Sequence, residues 1–157
     1  MPKKSKDKGS RYERKIAKIF SKAFNRDLRR VPLSGGLDIK CDIYDPFFDD
    51  FPYFIECKHR EIFTIDSIIN GTSELYEFTR RNTILSKESY LISKYKQEPI
   101  PIVVFKGGNF KQDMVIFNDC YFTKTCDYQN FKMSFNNFVI IPLNEFIKKC
   151  SKTPLTK

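Results

Sequence analysis

The sequence predicts an α/β fold in which a mixed central β-sheet is flanked by helices. Two observations support this prediction. Apolar residues recur at helical spacing over residues 10–24 and again over 73–95, whereas short runs rich in β-branched and aromatic residues lie between and after these segments. The predicted order, α-β-β-β-α-β followed by a strand pair and a closing helix, is typical of a sheet covered by helices. A chain of 157 residues, 41% of them hydrophobic, can bury one core, so we expect a single domain over residues 9–150.

The first predicted helix begins at Ser10, a plausible N-cap, and follows a basic segment. Residues 1–8 are rich in lysine and are expected to form a disordered basic tail. Residues 1–30 hold twelve Lys or Arg and three acids, so the whole formal net charge of +9 falls within them. A basic block on one part of a chain is either a solvated face or a surface for a polyanion, and the one-sided distribution favours nucleic acid. The apolar stripe of the helix consists of Tyr12, Ile16, Ile19, Phe20, Ala23 and Phe24.

Three strands are expected to follow this helix. A short extended piece ends at Pro32, and the Ser34-Gly35-Gly36 loop leads into a second strand over 39–44. The third strand covers residues 53–58. The acidic residues between the second and third strands mark a turn, so an antiparallel hairpin is the simplest connection.

The second half of the chain predicts a further helix and three more strands. Ser73 can cap the helix, and the prolines at 99 and 101 end it. Strands are predicted at 102–105, 114–117 and 138–141, the first of them buried on both faces, and Pro142 opens a last helix over 143–149. We expect residues 109–137 to form an ordered insertion and residues 151–157 a flexible C-terminal tail.

Composition argues against membrane and zinc-binding classes. No run of about 18 apolar residues is present, and the lysine-rich start lacks the apolar region of a secretory signal. We therefore expect a soluble cytoplasmic protein without a membrane partner. The five cysteines form no CxxC pair and the single histidine is His59, so a structural zinc site lacks its ligands and the cysteines are expected to be reduced.

Glu56 and Lys58 are charged residues in a strand that is otherwise apolar. Because alternate residues of a strand share a face, their side chains are neighbours, and the simplest interpretation is an ion pair at a solvated strand end. A hairpin also brings Asp42, fourteen positions before Glu56, next to it. Two carboxylates with a backbone carbonyl and waters are a common Mg²⁺ site for phosphate chemistry, and an adjacent lysine can orient or deprotonate water. Asp38 has the same strand parity but follows the glycine loop, so Asp42 is preferred.

The segments "D42-I-Y" and "I55-E56-C57-K58" resemble the motif of the PD-(D/E)XK nuclease superfamily. In order and spacing, "KGSRYERKIAKIF", "RRVPLSGG", "DIKCDIY" and "FIECKHRE" also resemble archaeal-type Holliday junction resolvases and related small phage nucleases. The resemblance covers most of the chain, with residues 109–137 least supported. It implies a restriction-endonuclease-like core and a DNA endonuclease that uses Mg²⁺, or Mn²⁺ in its place, and cuts branched DNA as a homodimer.

The resemblance also implies roles for individual residues. Asp42 and Glu56 match the metal-binding carboxylates, the backbone carbonyl of Cys57 is a further ligand, and Lys58 matches the catalytic lysine. Glu13 matches an additional metal-site glutamate, but a glutamate three residues after Ser10 also fits a capping box, and both alternatives stay open.

Ser34 matches a serine that approaches the scissile phosphate, although an ordinary flexible turn explains it equally well. His59 lies on the opposite strand face from Lys58 and is expected to be a phosphate contact or a solvated side chain. The basic residues expected to bind DNA are Lys3, Lys4, Arg11, Arg14, Lys15, Arg29, Arg30 and Arg60.

Other functions remain compatible with the same residues. A single-strand or end-processing nuclease and a restriction-type enzyme could use the same site on other DNA. A nucleic-acid-binding protein without catalysis is a further alternative, which the presence of Asp42, Glu56 and Lys58 on one face disfavours. The resemblance implies a role in recombination, repair or phage DNA processing, and a phage or other mobile element as the source.

Overall fold

A seven-stranded mixed sheet forms the centre of the fold in the computed structural model, which describes residues 3–31, 41–47, 51–61, 100–108, 110–118, 133–135 and 138–150. The strand order is β1-β2-β3-β4-β5-β7-β6. β3 and β4 pair in parallel and the other five pairings are antiparallel. The strands are β1 (Arg29–Arg30), β2 (Ile43–Tyr44), β3 (Tyr53–His59), β4 (Ile100–Gly107), β5 (Phe110–Asn118), β6 (Met133–Phe135) and β7 (Phe138–Pro142).

This architecture confirms the predicted α/β class and is consistent with a restriction-endonuclease-like core. The antiparallel pairing of β2 with β3 and the predicted strands of the second half are present. The second strand, predicted over 39–44, is only Ile43–Tyr44 among the described residues, so Asp42 lies just before the strand and not within it. A parallel pair such as β3 and β4 needs a crossover connection. The chain between them includes residues 62–99, where the second helix was predicted, and these lie outside the described residues.

Helix α1 (Lys3–Phe24) is longer than predicted. It begins at Lys3, so Ser10 lies inside the helix and is not its N-cap, and residues 3–8, expected to belong to a disordered tail, are helical. Lysine is a good helix former, and the single Gly9 costs only about 1 kcal/mol in a helix interior, so the segment can extend the amphipathic helix that follows. At the other end Asn25 takes a left-handed conformation (φ 51°), and the Arg26 N–H donates to the Ser21 carbonyl at 3.0 Å, which closes the helix.

Two apolar clusters hold the sheet, one on each face. The larger one packs α1 and the closing helix α2 (Leu143–Cys150) against the sheet, with Phe20 fully buried among aromatic neighbours such as Tyr53 and Phe146. The second cluster contains Val103, Phe105 and Ile116. β4 thus contributes to both faces, as predicted, and the larger cluster fixes the α1 face of β3.

The segment predicted as an insertion, residues 109–137, contributes two strands. β5 begins at Phe110, four residues before its predicted start, and β6 was not predicted at all. β6 has three residues, which is too short for a period of two to be recognised. The rest of the segment, residues 109, 119–132 and 136–137, lies outside the described residues.

Two other sequence expectations can be compared with the described part of the chain. No helix within it has the length and apolar character needed to span a bilayer. Cys41, Cys57 and Cys150 are free, buried thiols.

Candidate active site

The backbone around Asp42 is held from both sides. Ile43 of β2 lies opposite Ile55 of β3, and Asp42 is the residue just before β2. The Asp42 N–H donates to the Ile55 carbonyl at 2.9 Å, and the Asp42 carbonyl accepts from the Val31 N–H at 2.9 Å. Asp42 is therefore fixed between the end of β1 and the middle of β3.

The carboxylate of Asp42 takes the place of a backbone acceptor in the sheet. Its Oδ2 accepts a hydrogen bond from the Cys57 N–H at 2.8 Å. Burial, followed by the neighbouring Glu56 charge, raises the pKa of Asp42 to about 7, although the Cys57 hydrogen bond acts in the opposite direction. A group with this pKa binds a proton or a metal cation readily near neutral pH.

Glu56 and Lys58 form the ion pair that strand parity predicts. Lys58 Nζ donates to Glu56 Oε1 at 2.9 Å, and their side chains are only 19% and 15% exposed. A simple ion pair at a solvated strand end would not require a second carboxylate, such as that of Asp42, close to Glu56. Here burial raises the pKa of Glu56 against the opposing effect of Lys58, and Asp42 adds a further negative charge at the same place.

Glu13 reaches this region from α1. Its carboxylate pairs with the guanidinium of Arg30 in β1, and both side chains are largely buried. The charge of Glu13 contributes to raising the pKa values of Asp42 and Glu56, so the three carboxylates are electrostatic neighbours. The capping-box explanation of Glu13 is wrong because α1 begins seven residues before Ser10. Its role as a metal ligand remains a prediction.

The donor set fits a hard divalent cation. Asp42 and Glu56 present carboxylate oxygens, which Mg²⁺ prefers, and when both are ionised Lys58 neutralises only one of the two charges. Across the described ranges no three His, Cys, Asp or Glu side chains form a metal-binding group. The two carboxylates would thus need a backbone carbonyl, such as that of Cys57, and waters to complete the shell.

The other predicted site residues are distributed around α1 and β1. Arg14 and Arg60 are exposed, and Arg29 donates to Asp27 through Nε at 3.0 Å and Nη2 at 2.6 Å. Arg30, predicted to bind DNA, is paired with Glu13. Lys3 and Lys4 lie in the first turn of α1, and Ser34 lies outside the described residues.

Arg11 and Lys15 lie in a cleft that the sequence did not predict. Its lining also includes His59 and Lys106. Burial, followed by the charges of Lys8 and Lys106, lowers the pKa of His59. Lys106 lies next to His59 in the parallel register of β3 and β4. The proximity of His59 and Lys106 can be predicted only if the pairing of β3 with β4, which are distant in sequence, is known.

Comparison with known proteins identifies the family of the chain. A family model described as "Phage putative PDDEXK endonuclease" matches residues 4–157. No curated protein matches, and no solved structure matches. The family match includes α1, the β2–β3 hairpin and all the residues of the candidate site.

Proposed function

The chain belongs to the phage putative PDDEXK endonuclease family, and from this premise we propose that it is a divalent-metal-dependent DNA endonuclease whose active site contains Asp42, Glu56 and Lys58. One observation carries the assignment. The Cys57 N–H holds the carboxylate of Asp42 at 2.8 Å, next to Glu56 on β3, while Lys58 Nζ lies 2.9 Å from the Glu56 carboxylate.

Each of the three residues has a distinct task in phosphodiester hydrolysis. Bound Mg²⁺, or Mn²⁺ in its place, would supply a Lewis acid for a phosphoryl oxygen and its attacking water. Asp42 and Glu56 would hold the cation, with the Cys57 carbonyl as a further ligand. The Cys57 N–H fixes one oxygen of Asp42 and so orients the carboxylate. Lys58 would orient the water that attacks phosphorus in line and neutralise charge that develops as the P–O bond breaks.

Branched DNA, such as a four-way junction, is the proposed substrate, in recombination, repair or phage DNA processing. Symmetric cutting of a junction needs two active sites, so we propose a homodimer. The resemblance to junction resolvases and the +9 net charge support this choice. A single-strand, end-processing or restriction-type nuclease would use the same three residues on other DNA.

The test uses a labelled four-way junction, a linear duplex and a single strand, each incubated with Mg²⁺ or with EDTA. We expect Mg²⁺-dependent cleavage, fastest on the junction, that Asp42→Asn and Lys58→Ala abolish. Asp27→Asn, which changes an exposed carboxylate on the loop before β1, and Lys22→Ala, which changes an exposed lysine of α1, are matched controls that should cut normally.

The active site, the substrate preference, the catalysis and the homodimer can each be refuted by a separate result. Cleavage that survives in both active-site variants would refute the site. Equal cutting of all three substrates would remove the junction preference, and binding without cleavage under any metal would leave a DNA-binding protein. A monomeric mass by light scattering, with and without junction DNA, would exclude the homodimer.

A further inference from the structure

A basic cleft of about 350 Å³ lies between α1 and the ends of β3 and β4. It is on the opposite face of β3 from Lys58, because His59 is the next residue along the strand. The ring of His59 lies 5.0 Å from the ring of Tyr12, measured between centroids. The cleft is lined by Lys8, Arg11, Tyr12, Lys15, His59 and Lys106.

The positive charge of the basic cleft is only partly neutralised. Lys15 pairs with Asp113 of β5, and Lys8 contacts Glu61 at 3.4 Å, where the Glu61 side chain is 86% exposed. Within the described ranges, neither Arg11 nor Lys106 has a carboxylate partner. Bringing like charges together from separate elements destabilises the fold, so protein stability alone does not explain this cluster.

A buried tyrosine, Tyr12, also lines the basic cleft. The hydroxyl of Tyr12 is buried beside Asp113, and although neither it nor Asp113 Oδ1 makes a hydrogen bond of standard geometry, Asp113 still acts on Tyr12 as a hydrogen-bond acceptor. Burial and then the charge of Asp113 raise the pKa of Tyr12, which keeps the hydroxyl protonated. The charge of Asp113 opposes an anion, but its ion pair with Lys15 offsets that effect. The cations that line the cleft, rather than this hydroxyl, therefore suit the oxygens of a phosphate group.

We propose that the basic cleft binds a backbone phosphate of DNA that is distinct from the scissile phosphate, an inference that rests on the proposed endonuclease function. Lys58 and His59 are consecutive residues with opposite orientations, so one phosphate cannot contact both. DNA that crosses the carboxyl ends of β3 and β4 passes both faces of the sheet. Arg60, exposed at this end with its N–H bonded to the Lys106 carbonyl at 3.1 Å, lies on that path.

The sole histidine of the chain makes the test direct. The His59 Cε1–H resonance is followed by NMR while a short DNA duplex, or inorganic phosphate as the small-anion probe, is added in EDTA. The double variant Arg11→Gln with Lys106→Gln is compared with the wild type. Lys148→Gln, an exposed lysine on α2, is the matched control. Binding is measured independently by fluorescence anisotropy of labelled DNA over a range of salt concentrations.

We expect DNA to shift the His59 resonance in the wild type and the control. The double variant should need at least about tenfold more DNA, and its salt dependence should weaken by about two phosphate contacts. DNA binding that leaves the His59 resonance unchanged, or a double variant that behaves as the control, overturns the inference without affecting cleavage. Inorganic phosphate that binds as tightly as DNA also overturns it, because the cleft is then a small-anion site. A shifted resonance without cleavage under any metal refutes the endonuclease and leaves the cleft intact.

Discussion

The substitution Asp42→Asn should stabilise the metal-free protein at pH 8 while abolishing cleavage. The folded state keeps Asp42 buried beside Glu56, which raises the pKa of Asp42 from an ordinary value of 3.8 to about 7. Asparagine has nearly the same shape, and its side-chain oxygen can still accept the hydrogen bond from the Cys57 N–H. The substitution therefore removes an unfavourable buried charge and keeps the contact that positions the residue.

The sign and size of the effect follow from proton linkage. Because the folded-state pKa of Asp42 is the higher one, the folded protein holds this proton in a window between about pH 4 and pH 7 where the unfolded chain has lost it. This group's contribution to stability is complete below that window and is lost as the pH rises through it. The folded and unfolded pKa values differ by about 3, and each pKa unit corresponds to about 1.4 kcal/mol. The change in the free energy of unfolding therefore has a ceiling of about 4 kcal/mol. Relaxation and the coupling to Glu56 reduce this, so we expect a gain of about 1 to 3 kcal/mol at pH 8 and almost none at pH 4.

The assay is urea denaturation in EDTA at pH 4, 6 and 8, with Asp27→Asn as a control. Asp27 is 58% exposed, so its substitution should give no gain that grows with pH. Adding Mg²⁺ at pH 8 should stabilise the wild type and not Asp42→Asn, since only a protein that binds the ion gains from it. A variant that is destabilised at pH 8, or a gain that does not depend on pH, would refute the electrostatic reasoning.

Three further predictions concern the site and its support. Glu13→Gln should raise the Mg²⁺ concentration for half-maximal cleavage by about tenfold; an unchanged Mg²⁺ dependence would leave Glu13 with only its ion pair. Asp45→Ala should lower the free energy of unfolding, measured by urea denaturation, by about 2 to 3 kcal/mol. Asp45 is 2% exposed and its carboxylate accepts a hydrogen bond from Arg26 at 3.4 Å. A loss below about 0.5 kcal/mol would contradict this prediction. Phe20→Ala should cost about 3 to 5 kcal/mol, and Phe20→Leu much less, since Phe20 is fully buried; equal effects in the same assay would exclude a packing cause.

The features predicted correctly depend on short-range patterns. Strand periodicity placed Glu56 and Lys58 on one face, and a turn of a few residues was enough to predict the hairpin that brings Asp42 to β3, where its carboxylate accepts from the Cys57 N–H. The start of α1 was missed because Ser10 fits an N-cap locally, whereas the preceding lysines extend the same helix. Cap residues indicate where a helix can begin, but they do not prevent it from beginning earlier.

The features that were missed depend on strand order. The sequence contains no signal that β4 pairs in parallel with β3 across the intervening chain, and this pairing is what sets Lys106 beside His59. The basic cleft therefore could not be predicted, although Arg11 and Lys15, which line it, were expected to bind DNA, and His59 was expected to contact a phosphate or solvent. The role of Arg11 and Lys15 was inferred from charge alone. Charge indicates that a binding partner is negatively charged, but it does not indicate where on the protein the partner binds.

The end of β3 explains how one strand can serve both core and site. Its first residues are buried, with Tyr53 and Ile55 packed under α1, and the aromatic contacts of Phe20 hold that part in place. Farther along, Lys58 on one face and His59 on the other are both partly exposed. The proposed contacts of both residues with DNA would therefore be made at the carboxyl end of the strand. The buried half of β3 thus fixes the position of the polar half, which contains Lys58 and His59, and with it the place where their proposed DNA contacts would lie.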